Sequence, residues 1–440
     1  MALGVSLTVA ASRAPPTMDI ALLQGPSTSK IALCHILLKR LRMHATSMSV
    51  PSSAWLRCLV LSAALFAAGC AGGKGPAKDL GAEIDEVAAA LVEQPLLHSA
   101  SIGVVYRGKA FIRHRGDMEA GKPGAPTDAT LYEIGSLSKT LAGTLMANAV
   151  RDGRVGLDDD VRMYLQGDYP NLQYEGDPIR IRHLLSHTSG LPNMLPERAN
   201  TVLADFTDHR TPDALNAVYA HYDKADFLRD LHTVEIPRVP GKDYGYSSAG
   251  TELTAHVLEV VYKKDYESLL RAYLGDAAAM TGLRIRLSDE EAPRLAVGYH
   301  SDNPVPTTPM PQLPWGASGN AKATLPDMVK YLKFQLADGP VAKESHRTLV
   351  TFDAESSIGY FWNIVRGDPL KGTYYAHHGG VPRSQCYVYI LPKYDLGIFV
   401  ITNQSGDQTA RAMETAIDTL VEKIAARENR AGKGEVIPDA

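Results

Sequence analysis

The chain has 440 residues, 45% of them hydrophobic and 21% charged, with a formal net charge of −4. This composition excludes wholesale disorder and allows one large fold or two to three ordinary domains. Six Lys/Arg and one Asp/Glu precede Cys70, leaving 39 basic and 48 acidic residues from there onward, a formal −9 that argues against nucleic acid as a partner.

In chain order, the first signal is an export leader. Arg57 precedes the apolar run CLVLSAALFAAG, too short to span a bilayer comfortably but suited to the h-region of a signal peptide. The run ends in Ala67-Ala68-Gly69-Cys70, which resembles a bacterial lipoprotein lipobox, with Ala where a larger residue is usual. The resemblance implies cleavage before Cys70, its lipidation, and a membrane anchor in the cell envelope, facing the periplasm or exterior. The plainer alternative is a secretory signal cut after the small residues. Residues 1–47 fit neither pattern and are read as an over-extended start, with Met48 opening a more normal signal. AGGKGPAK, residues 70–78 with Cys70, is expected to be a tether. Cys34 and Cys58 belong to the leader and Cys386 is left in the body, so no internal disulfide is possible there. The 14 histidines show no paired metal-ligand spacing, and neither a metal nor another cofactor is expected.

Residues 79–427 are read as the folded body and 428–440 as a loose tail. Leu80, Ile84, Val87 and Leu91 recur at helical spacing. Ser101 to Arg113 predicts a hairpin turning at Arg107-Gly108. From about Gly153 to Val297 the pattern is mainly helical, interrupted by loops at Leu191 to Asn200 and Pro237 to Gly245. Strands are predicted at Ile358 to Val365, Gln385 to Leu391 and Gly397 to Asn403, the last two joined by the turn PKYD. A helix with Met413, Ile417, Leu420 and Ile424 on one face follows. Strands at both ends with helices between them predict an α+β fold. One antiparallel sheet is flanked by helices, with a helical subdomain inserted beside it and a groove between the two.

The chemistry concentrates in EIGSLSKT, where Ser136 and Lys139 stand three residues apart, as neighbours on a helical face. A serine hydroxyl is a weak nucleophile and needs such a base. The spacing alone proves little, since Ser27 and Lys30 repeat it in the leader by chance. Three later segments add weight: IRIRHLLSHTSGLP from Ile179, PGKDYGYSSAG from Pro240, and AHHGGVP from Ala376, just before the strand QCYVYIL. Together they resemble the serine β-lactamase and penicillin-binding superfamily, nearest to the class C β-lactamase-like serine hydrolases, over roughly Leu80 to Lys423. The resemblance implies that Ser136 is the nucleophile, Lys139 its amine, and Tyr246 the tyrosine of the Y-x-N element. It places His377 and Gly379 in the third element as H-x-G, His377 lining the carboxylate or leaving-group side, with the oxyanion between the N–H groups of Ser136 and Gly380. GASGNAKATLPDM, from Gly316, resembles a further landmark.

One departure is visible: Ser248 stands where the element has Asn. A serine is shorter and offers one hydroxyl, so it could support Lys139 but would grip an acylamino group less well, which lowers the expectation of β-lactamase or peptidase turnover more than that of hydrolysis. A neutral His377 points the same way, towards less anionic esters or amides. Burial of Lys139 beside Tyr246 predicts either a neutral amine or a Lys⁺–phenolate pair. His183 and His187 read as structural, Tyr244 as core, and His378 as a spacer with its ring turned from the nucleophile. An α/β-hydrolase is rejected, because no G-x-S-x-G is completed around Ser318 or Ser247. The expected partner is a small-molecule or peptide substrate. The competing reading is a non-catalytic lipoprotein that binds peptidoglycan fragments or other envelope partners.

Overall fold

The computed structural model describes residues 79–431. The apolar period at its start folds as helix α1 (Leu80–Val92), capped by the Asp79 carboxylate, which accepts from Ala82 N–H at 2.7 Å. The hairpin follows as β1 (Ser99–Tyr106) and β2 (Lys109–Gly116). Arg107 and Gly108 both take positive φ, 49° and 77°, the handedness that two-residue hairpin turns need.

Ser136 does not lie on the α-helix itself. Gly135–Leu137 form a 3₁₀ turn that runs straight into α2 (Ser138–Arg151). The middle of the chain is helical as expected, with helices at Ile181–Leu185, Arg198–Leu203, Thr211–Tyr219 and Lys224–Leu231, then α3 (Ser248–Tyr262) and a helix over Tyr266–Ala278. Leu325–Leu336 forms α4 and returns the chain to the sheet.

Besides two short two-stranded ladders elsewhere, the remaining strands of the main sheet are β3 (Val350–Thr351), β4 (Ser356–Gly359), β5 (Trp362–Asp368), β6 (Gly372–Val381), β7 (Ser384–Leu391) and β8 (Leu396–Thr402), before the closing helix α5 (Asp407–Ala431). The eight strands make one sheet in the order β2-β1-β8-β7-β6-β5-β4-β3. The two ends of the body meet where β1 pairs antiparallel with β8, Ile102 opposite Val400. Strand β8 is buried on both faces. Leu396, Ile398 and Val400 pack with Ile84, Ile417 and Leu420 of the terminal helices. Phe399 and Ile401 join Leu141, Leu145 and Met328 on the other side, in the core shared with the helical region. Truncating one such side chain to Ala costs about 2–5 kcal/mol.

Two expectations are corrected. Ile358 to Val365 is not one strand: Tyr360 and Phe361 (φ 49° and 69°) turn the chain between β4 and β5. The turn is imposed from outside, since Phe361 N–H donates to Leu185 O at 2.8 Å and the Tyr360 carbonyl packs against Gly143 of α2. The chain is also not loose from Glu428. Helix α5 continues to Ala431, and the Glu428 carboxylate accepts from Tyr106 Oη and, at 2.7 Å, from Arg107.

Candidate active site

The Ser136 turn sits against the edge of β6. A Cβ on Gly379 would lie 2.1 Å from Ile134 O and 3.1 Å from Leu137 N, and one on Gly135 would lie 2.9 Å from Gly380 N. Only glycines let the two backbones approach this closely. Ser384 Oγ donates to Glu133 O and Cys386 Sγ contacts Ile134 O at 3.3 Å, fastening the turn to β7 as well.

Strand register then decides where Gly380 N–H points. Pro382 and Arg383 form a two-residue turn closed by Val381 opposite Ser384, so that pair exchanges hydrogen bonds and the next pair, Gly380 opposite Gln385, does not. The Gly380 N–H is therefore directed to the other edge of β6. There β5 has stopped pairing, at Ala376 opposite Asn363, and the Gly135–Leu137 turn takes its place. Ser136 and Gly380 thus present backbone at one small gap.

Around Ser136 Oγ the side chains converge. Tyr246 Oη donates to it at 2.7 Å, and Lys139 Nζ lies 3.2 Å away. Lys139 is fully buried, its amine donating to Ser318 O at 2.6 Å and lying 4.8 Å from the Tyr246 ring centre. Burial pushes the amine down to about 7, while the Glu252 carboxylate pulls the other way. Burial raises the Tyr246 phenol far above its ordinary value, outweighing the Ser136 hydrogen bond. The phenol therefore keeps its proton, and above about 7 the pair is neutral amine and phenol rather than Lys⁺ and phenolate. A consistent relay follows, in which Tyr246 donates to Ser136, the Ser136 hydroxyl faces the free lone pair of Lys139, and Lys139 donates to Ser318 O.

The other expected residues fall as follows. His377 is buried, and its Nδ1–H donates to His378 O at 2.7 Å, leaving Nε2 as acceptor. Burial and then the Lys139 charge push it down to about 3, so it is a neutral ring. The His378 ring turns to Gln385, 2.9 Å from its amide, and to Tyr387. Ser248 opens α3, and no hydrogen bond joins its side chain to Lys139; its N–H donates to Asn193 Oδ1 at 3.4 Å. The carbonyl of Ser318 holds the amine instead. Tyr244 is not core: it is 38% exposed, with its ring 5.8 Å from that of Phe352.

Two contributors carry more than their sequence reading gave them. His187 brackets Tyr246: its carbonyl accepts from Gly245 N–H at 2.8 Å and its Nδ1 from Ser247 N–H at 3.2 Å. Its ring lies 4.6 Å from that of Tyr246, and burial holds it neutral. HTSGLP is thus the cradle of the tyrosine loop, and Ser247 Oγ also donates to Pro192 O at 2.7 Å. Glu252 was not singled out from the sequence at all. Its signal was an acidic residue inside the near-apolar helical run around Leu253.

The beta-lactamase family model matches residues 84–422. Protein flp of Staphylococcus aureus strain N315 is 22% identical over 342 residues, 76% of this chain and 65% of that protein. A beta-lactamase of Providencia stuartii is 29% identical over 269 residues, 59% of this chain and 61% of its own length. The chain therefore spans less than two thirds of the length of these relatives. Among solved structures, the beta-lactamase/D-alanine carboxypeptidase of Yersinia pestis complexed with citrate superposes with TM-score 0.66 at 21% identity, over 78% of this chain and 98% of that one. A class C beta-lactamase of Rhodobacter sphaeroides gives TM-score 0.62 at 20% identity, over 78% and 99%. These likenesses show a shared α+β fold.

Proposed function

The chain belongs to the β-lactamase family, and from that premise we propose that it is a serine hydrolase working through an acyl-enzyme on Ser136. The observation that carries this reading is the pair of contacts on one oxygen, Tyr246 Oη at 2.7 Å and Lys139 Nζ at 3.2 Å. The Ser136 proton passes to the neutral amine of Lys139 as Oγ attacks a carbonyl carbon. The oxyanion forms between the Ser136 and Gly380 N–H groups; loss of one such donor typically costs about 10²–10³ in turnover. The leaving group takes a proton from the Lys139–Tyr246 pair and departs, and the same groups activate the water that releases the acyl chain.

For the substrate, we read the neutral His377 and the absent Asn side chain at Ser248 as favouring an ester or an uncharged amide over an anionic acylamino substrate. A D-amino-acid peptide or β-lactam bond is the next class. We also keep the proposal that Cys70 anchors the enzyme in the cell envelope; the leader, Cys70, the tether and the Ser27/Lys30 pair lie outside the described residues.

The test is fluorophosphonate labelling of the whole protein against Ser136→Ala, followed by a short-chain nitrophenyl ester, a D-alanyl amide and a chromogenic cephalosporin. Ser136-dependent label with ester turnover is expected. Absence of any Ser136-dependent label would turn the assignment to a binding protein.

A further inference from the structure

Glu252 lies one helical turn after Ser248 on α3 and is 3% exposed. Its Oε2 accepts from Trp315 N–H at 2.7 Å and Gly316 N–H at 3.0 Å. Its Oε1 accepts from Ser318 N–H at 2.8 Å and from Ser318 Oγ at 2.6 Å. The Ser318 carbonyl between these contacts takes the Lys139 amine at 2.6 Å. Four donors on two oxygens require an acceptor-only group: a glutamine would turn its own NH₂ towards two of them. The hydrogen-bonded path from Glu252 therefore ends on the base.

We propose that Glu252 is the positioning residue of Lys139: it clamps residues 315–318 so that the Ser318 carbonyl orients the amine, and it presents that amine with a carboxylate. The groups facing Lys139 from the surrounding elements fix the sign of the effect. They are Ser136 from the 3₁₀ turn, Tyr246 from its loop, His187 from the HTSGLP segment, His377 from β6, and Glu252 from α3. The phenol and both rings are neutral, so Glu252 supplies the negative charge in this set. Tyr219 and Tyr266 face Glu252 from behind and are held in their phenol form by burial. A buried opposite charge favours the protonated amine. Glu252 thus keeps the proton affinity of Lys139 from falling too low for it to take the serine proton.

The inference deepens the hydrolase reading, but its test needs no turnover. The full chain, carrying ¹³C,¹⁵N-lysine, is titrated by NMR, with Lys139 assigned through Lys139→Met. A midpoint near 7 is expected in the native protein. Glu252→Gln should lower the proton affinity at least about tenfold, whereas Glu252→Asp, which keeps the charge, should stay within about threefold of native. An unchanged midpoint in Glu252→Gln, or an equal fall in both variants, overturns the proposal. If Glu252→Gln does not fold, ¹³C-glutamate labelling of the native chain decides. The Glu252 carboxyl signal should step at the Lys139 midpoint, and a flat signal overturns the proposal. Missing Ser136 label would sink the hydrolase reading alone.

Discussion

Two buried nitrogen bases flank Ser136, and they come to opposite ends. Lys139, on the helix behind Ser136, starts from 10.5 and is pushed down to about 7. His377, on the strand beside it, starts from 6.5 and is pushed down to about 3. Burial is the leading cause for both, yet one becomes a base poised near neutrality and the other a ring with no charge to give. The starting value decides, and so does the company: Lys139 faces Glu252, whereas His377 faces Lys139 itself. Both side chains are on site, but only the amine is matched to proton transfer near pH 7.

That contrast can be broken in order of effect. Ser136→Ala should reduce ester hydrolysis to background, a loss on the order of 10⁶-fold when a serine hydrolase loses its nucleophile. Lys139→Met, which removes the poised base but keeps its length, should cost roughly 10²–10⁴-fold in acylation rate by fluorophosphonate or ester. Tyr246→Phe removes the 2.7 Å hydrogen bond to Ser136 and should cost about 10²-fold in acylation; a near-native rate would remove tyrosine from the step. Gly379→Ala drives a methyl to 2.1 Å from Ile134 O, so thermal unfolding should show about 1–3 kcal/mol of lost stability along with displaced Ser136. His377→Asn comes last. It should alter which substrates are preferred but leave the midpoint of the pH–rate profile in place, because His377 is already neutral well below that midpoint.

The sequence carried the site further than it carried its supports. Ser136, Lys139 and Tyr246 were legible because three motifs occur in order, and the structure gathers them on one oxygen. The β1–β2 and β7–β8 hairpins were legible from turn residues flanked by β-branched, aromatic and other apolar ones. The β4–β5 turn was hidden: Tyr360 and Phe361 are buried aromatics that read as strand, and the turn comes from contacts with Leu185 and Gly143. Glu252 escaped notice for a similar reason. Its four donors come from more than 60 positions along the chain, a distance that no local pattern spans.

The central claim is that Ser136 is activated by a neutral Lys139. It is tested most directly by the pH dependence of fluorophosphonate labelling, with the labelled peptide identified by mass. The label should fall on Ser136, and its rate should rise with pH to a plateau above about 7, dropping roughly tenfold per pH unit below that point as the amine protonates. Label elsewhere, or a Ser136 rate unchanged between pH 5 and 9, would contradict the account.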